Sequence, residues 1–166
     1  MRATRKCLVW DLDETLWDGV CMEGAVNIKQ PVVHALEELD TRGILHSIAS
    51  RNDEDLALQR LRQYGLEGFF LVPRINWLPK SQNILAIARD LGLSLDAMAF
   101  IDDDPFEREQ VAYMLPEVLT IPAGRAGDLP GYADFSPGQV TEEARQRRSF
   151  YRAEIERHQA EGRFAT

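Results

Sequence analysis

The chain holds only two cysteines, Cys7 and Cys21, no apolar run long enough to span a membrane, and no surplus of basic charge. Two thiols make no disulfide framework, so a reducing compartment is the simpler reading. The basic opening of Arg2, Arg5 and Lys6 leads into four apolar residues before Asp11, far short of a signal-peptide core. These absences together predict a soluble, cytoplasmic protein with no membrane partner. A net charge of −8 leaves nothing to neutralise a phosphate backbone, which argues against nucleic acid. Repeats and low-complexity segments are also missing. What remains is ordinary: 166 residues, 45% apolar and 28% charged, enough for one domain over 1–166 with a proper core.

One stretch is not ordinary. Cys7-Leu-Val-Trp10 has the length and apolar character of a strand buried on both faces, as in a parallel sheet. It runs into Asp11, Asp13 and Thr15. Open α/β sheets bind ligands at the carboxyl ends of their strands, and that is where Asp11 falls. Alternate residues of extended chain point the same way, so Asp11 and Asp13 can face one site. Two carboxylates held together repel unless a cation or a shared proton intervenes. The pair asks for a metal.

The remaining chain alternates strands with helices. Asp18 to Gln30 reads as a loop or small hairpin over the carboxyl edge of the first strand. Pro31 opens a helix with Val32, Leu36 and Leu39 as its stripe, and Gly43 closes it. Ile44 to Ala49 is a second strand, and Asn52 or Asp53 caps a helix to Tyr64. Phe69 to Val72 reads as the third strand, followed by a helix from Lys80 to Gly92. Ala97 to Ile101 is the fourth strand; Asp104 caps and Pro105 opens a helix to about Leu115, and Val118 to Ile121 is the fifth strand. This order predicts an α/β fold, a doubly wound, Rossmann-like parallel sheet of five strands over about 5–122. Residues 122–140, rich in Gly, Pro and Ala, read as irregular. Thr141 then caps a charged helix over about 141–161 with Ala144, Arg148, Tyr151, Ile155 and His158 on one side. That stripe is too polar for a core and should lie on the surface or meet a partner.

Four polar features collect at the predicted carboxyl edge: Asp11/Asp13, Ser50, Lys80 and Asp102/Asp103. Taken singly, each has a plain explanation as a helix cap, a turn or a solvated side chain. Their chain order at one edge is harder to explain that way.

In that order they resemble the haloacid-dehalogenase (HAD) superfamily. Asp11-Leu-Asp-Glu-Thr15 matches its DxDx[TV] motif, Ser50 the second motif, Lys80 the third and Asp102-Asp103 the acidic fourth. Val9 to Trp17, Ile48 to Asp53, Trp77 to Lys80, Phe100 to Arg108 and Thr141 to Arg152 are similar to the FkbH-like branch (subclass IIIC). The resemblance implies an enzyme that uses Mg²⁺ and an aspartyl-phosphate intermediate. Asp11 would be the nucleophile and Asp13 the acid and base. Asp11, the Asp13 backbone carbonyl and Asp103 would hold the metal, with Asp102 binding it through water. Ser50 and Lys80 would grip the phosphoryl group, with Arg51 and Asn52 as further phosphate-binding candidates. The branch implies a small phosphorylated three-carbon acyl donor, 1,3-bisphosphoglycerate, and transfer of its glyceryl unit to an acyl carrier protein in polyketide biosynthesis. Cys21 is then the candidate acyl-carrying thiol, against a half-buried loop residue as its alternative. Cys7 reads as a small buried hydrophobe.

The intervals from Thr15 to Ser50 and from Ser50 to Lys80 leave no room for a globular cap domain, so an open site is expected. His34, His46 and His158 pair with nothing at a metal-ligand spacing. Trp10, Trp17 and Trp77 read as packing residues, although Trp17 and Trp77 flank motifs and could wall the site. Three alternatives stay open: a plain phosphatase with Cys21 inert, a phospho-acceptor receiver, and an inactive binding scaffold. Receivers carry their acidic pair a whole βα unit before the acceptor, which this chain does not.

Overall fold

In the computed structural model, which describes residues 4–164, the strands are β1 (Cys7–Trp10), β2 (Trp17–Asp18), β3 (Asn27–Ile28), β4 (Leu45–Ser50), β5 (Arg74–Ile75), β6 (Met98–Asp102) and β7 (Leu119–Pro122). Five of them form one parallel sheet in the order β5-β4-β1-β6-β7. β1 lies at its centre, and all four of its residues are buried. Leu8 and Trp10 face one core, Cys7 and Val9 the other, which is why the run reads as continuously apolar. Arg2, part of the basic opening, lies outside the described residues.

The first core is closed by α1 (Gln30–Thr41) and α2 (Glu54–Gln63), the second by α3 (Lys80–Leu91) and α4 (Pro105–Met114). Their ends follow local chemistry. Asp53 accepts from the Leu56 amide and Asp104 from the Phe106 amide, each at 2.9 Å, and Pro105 sits in the first turn of α4. Gly92 stops α3 in the left-handed conformation, with φ of 66°.

The third strand is not Phe69 to Val72. Glu67–Phe69 is a 3₁₀ turn, Phe70 makes only an isolated bridge to His46, and Val72 has φ of 43°, which breaks the extended path. Pairing with β4 resumes two residues later, at Arg74–Ile75. Residues 122–140 are more regular than their composition suggests: 3₁₀ turns at Ala123–Gly131 and Ala133–Phe135 bury Ala126, Leu129 and Phe135 against the first core. The charged C-terminal helix is two helices, α5 (Glu142–Arg145) and α6 (Arg147–Phe164), divided at Gln146.

Arginines dock α6. Arg148 bonds both oxygens of Asp40, at 2.8 and 3.3 Å, and donates to the Gly68 carbonyl at 2.7 Å. Its guanidinium also stacks 4.8 Å from the centre of the Phe69 ring. Arg152 donates to the same Gly68 carbonyl, while Tyr151 and Ile155 pack on the second core. Gly43 makes the approach of α5 possible. With φ of 82°, it would carry any Cβ to 2.8 Å from Arg147 and 3.0 Å from Ala144. Among the described residues no helix is long and apolar enough to cross a membrane.

One histidine of the three is part of the core. His46 is buried, accepts from Trp10 Nε1 at 2.9 Å, and is pushed down to about 3 by burial and by nearby Arg148. His34 and His158 are exposed.

Candidate active site

The register of the sheet sets the site. Trp10 is level with Ile101 on β6 and Ile48 on β4, so Asp11 emerges beside Asp102 on one side and just short of Ser50 on the other. The Asp11 amide still donates to the Ile101 carbonyl at 3.0 Å, which fixes its backbone. Lys80 enters from the first turn of α3. Its ammonium lies 2.9 Å from Asp11 Oδ1 and 2.6 Å from Asp102 Oδ2, and all three side chains are nearly inaccessible.

Thr15 links the two ends of the acidic cluster. Its hydroxyl donates to Asp11 Oδ2 at 2.8 Å and accepts from the Asp103 amide at 3.1 Å. It also stands 3.2 Å from Asp103 Oδ1. Asp102 Oδ1 accepts from the Asp104 amide at 3.0 Å, and its carbonyl accepts from Arg108 at 2.8 Å. Asp13 is held apart from this cluster. Its Oδ1 accepts from Trp17 Nε1 at 3.0 Å and from the Cys21 amide at 2.9 Å, and its Oδ2 accepts from Asn52 Nδ2 at 3.0 Å.

Charge is unbalanced here. Burial pushes the Asp11 carboxyl well above the ordinary carboxylate range; Lys80 opposes the shift and Asp102 adds to it. Burial raises Asp102 likewise, against Lys80 and the Asp104 amide. Burial alone would lower Lys80, but Asp11 and Asp102 outweigh it and hold the ammonium more firmly than usual. One ammonium facing several carboxylates in a desolvated place leaves negative charge that a further cation would relieve. The donor set fits one: carboxylate oxygens of Asp11, Asp102 and Asp103 all lie within 4.8 Å of one another. An all-oxygen set of this kind suits a hard divalent cation such as Mg²⁺.

Asp11, Asp13, Ser50, Arg51, Lys80, Asp102 and Asp103 all line one open cleft of about 240 Å³. No protein-family model matches the chain, and no curated protein matches it at a significant level. Solved structures do. The N-terminal part of a Bacteroides fragilis protein, containing a phosphatase domain and complexed with Mg, matches with a TM-score of 0.62 and 28% identity. The match covers 85% of this chain and 42% of that one, so the chain spans less than half of that structure. A HAD-superfamily hydrolase from Ehrlichia chaffeensis matches over 76% of this chain and 98% of its own, with a TM-score of 0.58 and 9% identity. The fold is that of the HAD superfamily. A cobalt-bound deoxy-D-mannose-octulosonate 8-phosphate phosphatase from Haemophilus influenzae, at 17% identity and a TM-score of 0.51, shares it over 75% of this chain and 81% of that one.

Within the HAD fold nothing globular is inserted between Thr15 and Ser50 or between Ser50 and Lys80. The first interval holds the β2–β3 hairpin, a 3₁₀ turn at Cys21–Glu23 and α1; the second holds α2, a 3₁₀ turn and β5. The cleft is therefore uncapped from those two positions.

Two sequence candidates fall outside the cleft lining. The Asn52 amide bonds Asp13, and its Oδ1 accepts from the Asp53 amide at 3.0 Å, so it holds another side chain rather than facing the cleft. Cys21 is 1% exposed and packs in the first core. Burial and then Asp13 raise its thiol, with Arg60 opposing, so the thiolate is disfavoured. Cys7 is fully buried, its thiol pushed up to about 12 by burial. Trp17 is buried and serves the site through its bond to Asp13, whereas Trp77 is 64% exposed. The motif pattern assigns no role to the Thr15 hydroxyl, and nothing local singles out Glu107, a cleft residue 3.5 Å from Arg51.

Proposed function

We propose that the cleft hydrolyses phosphate monoesters by way of a phosphorylated Asp11, with Mg²⁺ as cofactor. One observation carries the reading: Asp11, Asp102 and Asp103 converge within 4.8 Å while Lys80 stands 2.9 Å from the Asp11 carboxylate. A phosphatase domain complexed with Mg, in the Bacteroides structure 28% identical to this chain, supports it further.

In this reading a carboxylate oxygen of Asp11 attacks phosphorus, and the bond from phosphorus to the ester oxygen breaks. Asp13 gives its proton to the departing oxygen. Water then attacks the phosphorylated Asp11; Asp13 takes the water's proton, and the bond from Asp11 to phosphorus breaks to release phosphate. Lys80 and the Ser50 hydroxyl bind phosphoryl oxygens, and Lys80 keeps Asp11 turned toward the cleft. Thr15 fixes the rotamer of the attacking carboxylate. Asp11, Asp103 and the Asp13 backbone carbonyl would hold the metal, with Asp102 bound to it through water. When present, Mg²⁺ supplies positive charge that lets the phosphoryl group approach a carboxylate. Phosphate release from a simple ester, dependent on Mg²⁺ and lost in Asp11→Asn, tests the reading. Release that survives in Asp11→Asn would end it.

A narrower second reading is an FkbH-like enzyme that takes 1,3-bisphosphoglycerate and passes its glyceryl unit to an acyl carrier protein in polyketide biosynthesis. Its support is the likeness of the phrases around the motifs, together with the Cys21 amide bonded to Asp13, which ties the thiol's loop to the site. The buried, reluctant thiol weighs for the simpler phosphatase. Incubation with 1,3-bisphosphoglycerate and Mg²⁺ separates the two by intact mass. A glyceryl adduct that disappears in Cys21→Ala supports acyl transfer. Phosphate release without an adduct leaves the phosphatase.

A further inference from the structure

Lys80 and Arg51 are the cations among the described residues that line the cleft, and they are engaged unequally. Lys80 lies between Asp11 and Asp102, its side chain 6% exposed, at the cleft floor. Arg51 is 39% exposed and has one long ion pair, 3.5 Å from Nη1 to Glu107 Oε1. Glu107 is itself 8% exposed, and its Oε2 is buried without a hydrogen-bond partner.

The first turn of α4 favours a carboxylate at Glu107, but it leaves Oε2 without a donor. Burying a carboxylate costs more than one loose ion pair returns, and an apolar side chain of similar size would serve the packing better. Unsatisfied buried polar atoms in a cleft wall point to function. The topology indicates which one. Arg51 follows β4 and Glu107 lies in the first turn of α4, after β6. Because β1 lies between β4 and β6, the pair spans the carboxyl end of β1, where Asp11 sits. Asp11 and Lys80 form the deep floor and Arg51 the accessible mouth.

We propose that Arg51, aimed across the cleft by Glu107, binds a carboxylate on the outward part of the substrate, so that phosphorylated organic acids are preferred to neutral phosphate esters. This rests on the phosphoryl-transfer reading of the floor. The guanidinium fork matches a planar carboxylate in two parallel bonds. Its charge is shared with Glu107, which suits a single negative charge; a second dianionic phosphate would meet Glu14 and Asp104 on the same walls. Glu107 is a positioning residue and makes no contact with the substrate.

The test compares 3-phosphoglycerate with glycerol 3-phosphate, which differ by a carboxylate in place of a hydroxymethyl group. With Mg²⁺ the wild type should favour the acid by about tenfold or more in kcat/KM. Arg51→Met should bring the ratio to about one, and Arg51→Lys should restore part of it. Glu107→Gln should reduce the preference through KM for the acid. A wild-type ratio near one overturns the proposal. So does an Arg51→Met variant that weakens both esters equally, which would put Arg51 on the transferred phosphoryl group. If neither ester is turned over, the phosphatase reading has failed for them. The same ratio is then read as Kd by calorimetry on wild type and Arg51→Met, and the same two outcomes decide it.

Discussion

Asn52 donates to Asp13 across 39 residues of chain, tying the turn after β4 to the turn after β1. Asp13 Oδ2 has this one donor, while Trp17 and Cys21 hold the other oxygen. Asn52→Ala frees half of the carboxylate that must meet the leaving oxygen. The expected result is a fall in kcat of about 10- to 100-fold with little change in KM. Equal kcat in steady-state assays would show that Asp13 needs no such aim.

Lys80→Met leaves Asp11 and Asp102 facing each other without their ammonium. Removing one member of a buried pair costs about 3–5 kcal/mol, so the midpoint of urea unfolding should fall clearly and phosphate release should be lost. An unchanged midpoint would mean that the cluster is better solvated than its burial implies.

Metal and pH act on the same charges. The folded Asp11 carboxyl lies well above its ordinary 3.8, so the folded state binds that proton more tightly than the unfolded chain. Stability contributed at Asp11 therefore declines as pH rises through the window from 3.8 to the folded value. Lys80 works at the other end: raised above 10.5, its contribution is complete below that pH and is lost only as pH rises through its folded value. In EDTA, wild type should lose stability relative to Asp11→Asn as pH rises from the acid side toward neutral. Mg²⁺ at a hundred times its Kd should add about 2.7 kcal/mol to wild type at neutral pH. Thermal scans in which Mg²⁺ shifts Asp11→Asn as much as wild type would remove Asp11 from the metal site.

Arg148→Ala removes the two-oxygen bond to Asp40 and one of the two donors on the Gly68 carbonyl, leaving Arg152 as the other. A loss of about 1–3 kcal/mol is expected, because one partner is a charge in a half-buried position. Limited proteolysis should then cut within α6 before the core. Cleavage elsewhere first would show that Tyr151 and Ile155 suffice to hold the helix.

Much of this was legible in the sequence where the cause is local. Cys7 to Trp10 reads as a strand because it is apolar on both faces, and Asp104, Pro105 and Gly92 mark helix ends by their own hydrogen bonds and backbone preferences, while of Asn52 and Asp53 it is Asp53 that caps. The polar residues destined for the cleft were visible because strand ends supply them. What depended on distant pairing was hidden. Arg74–Ile75 is too short and too polar to read as a strand, and only the edge of β4 makes it one. Val72 looks like strand material but turns the chain. The polar stripe of α6 concealed a docking surface, since Arg148 finds Asp40 across 108 residues. Arg51 and Glu107 meet only because β4 and β6 flank β1. The burial of Cys21 comes from α2 packing against its 3₁₀ turn, which no local pattern signals.

The most direct test of the whole account is to stop a reaction with an aryl phosphate and Mg²⁺ within the first turnovers and map the protein by peptide mass. One phosphoryl group is expected on the peptide carrying Asp11, absent in EDTA and in Asp11→Asn. Phosphate release from wild type with that peptide unmodified at every time sampled, or a label on another residue, would contradict it.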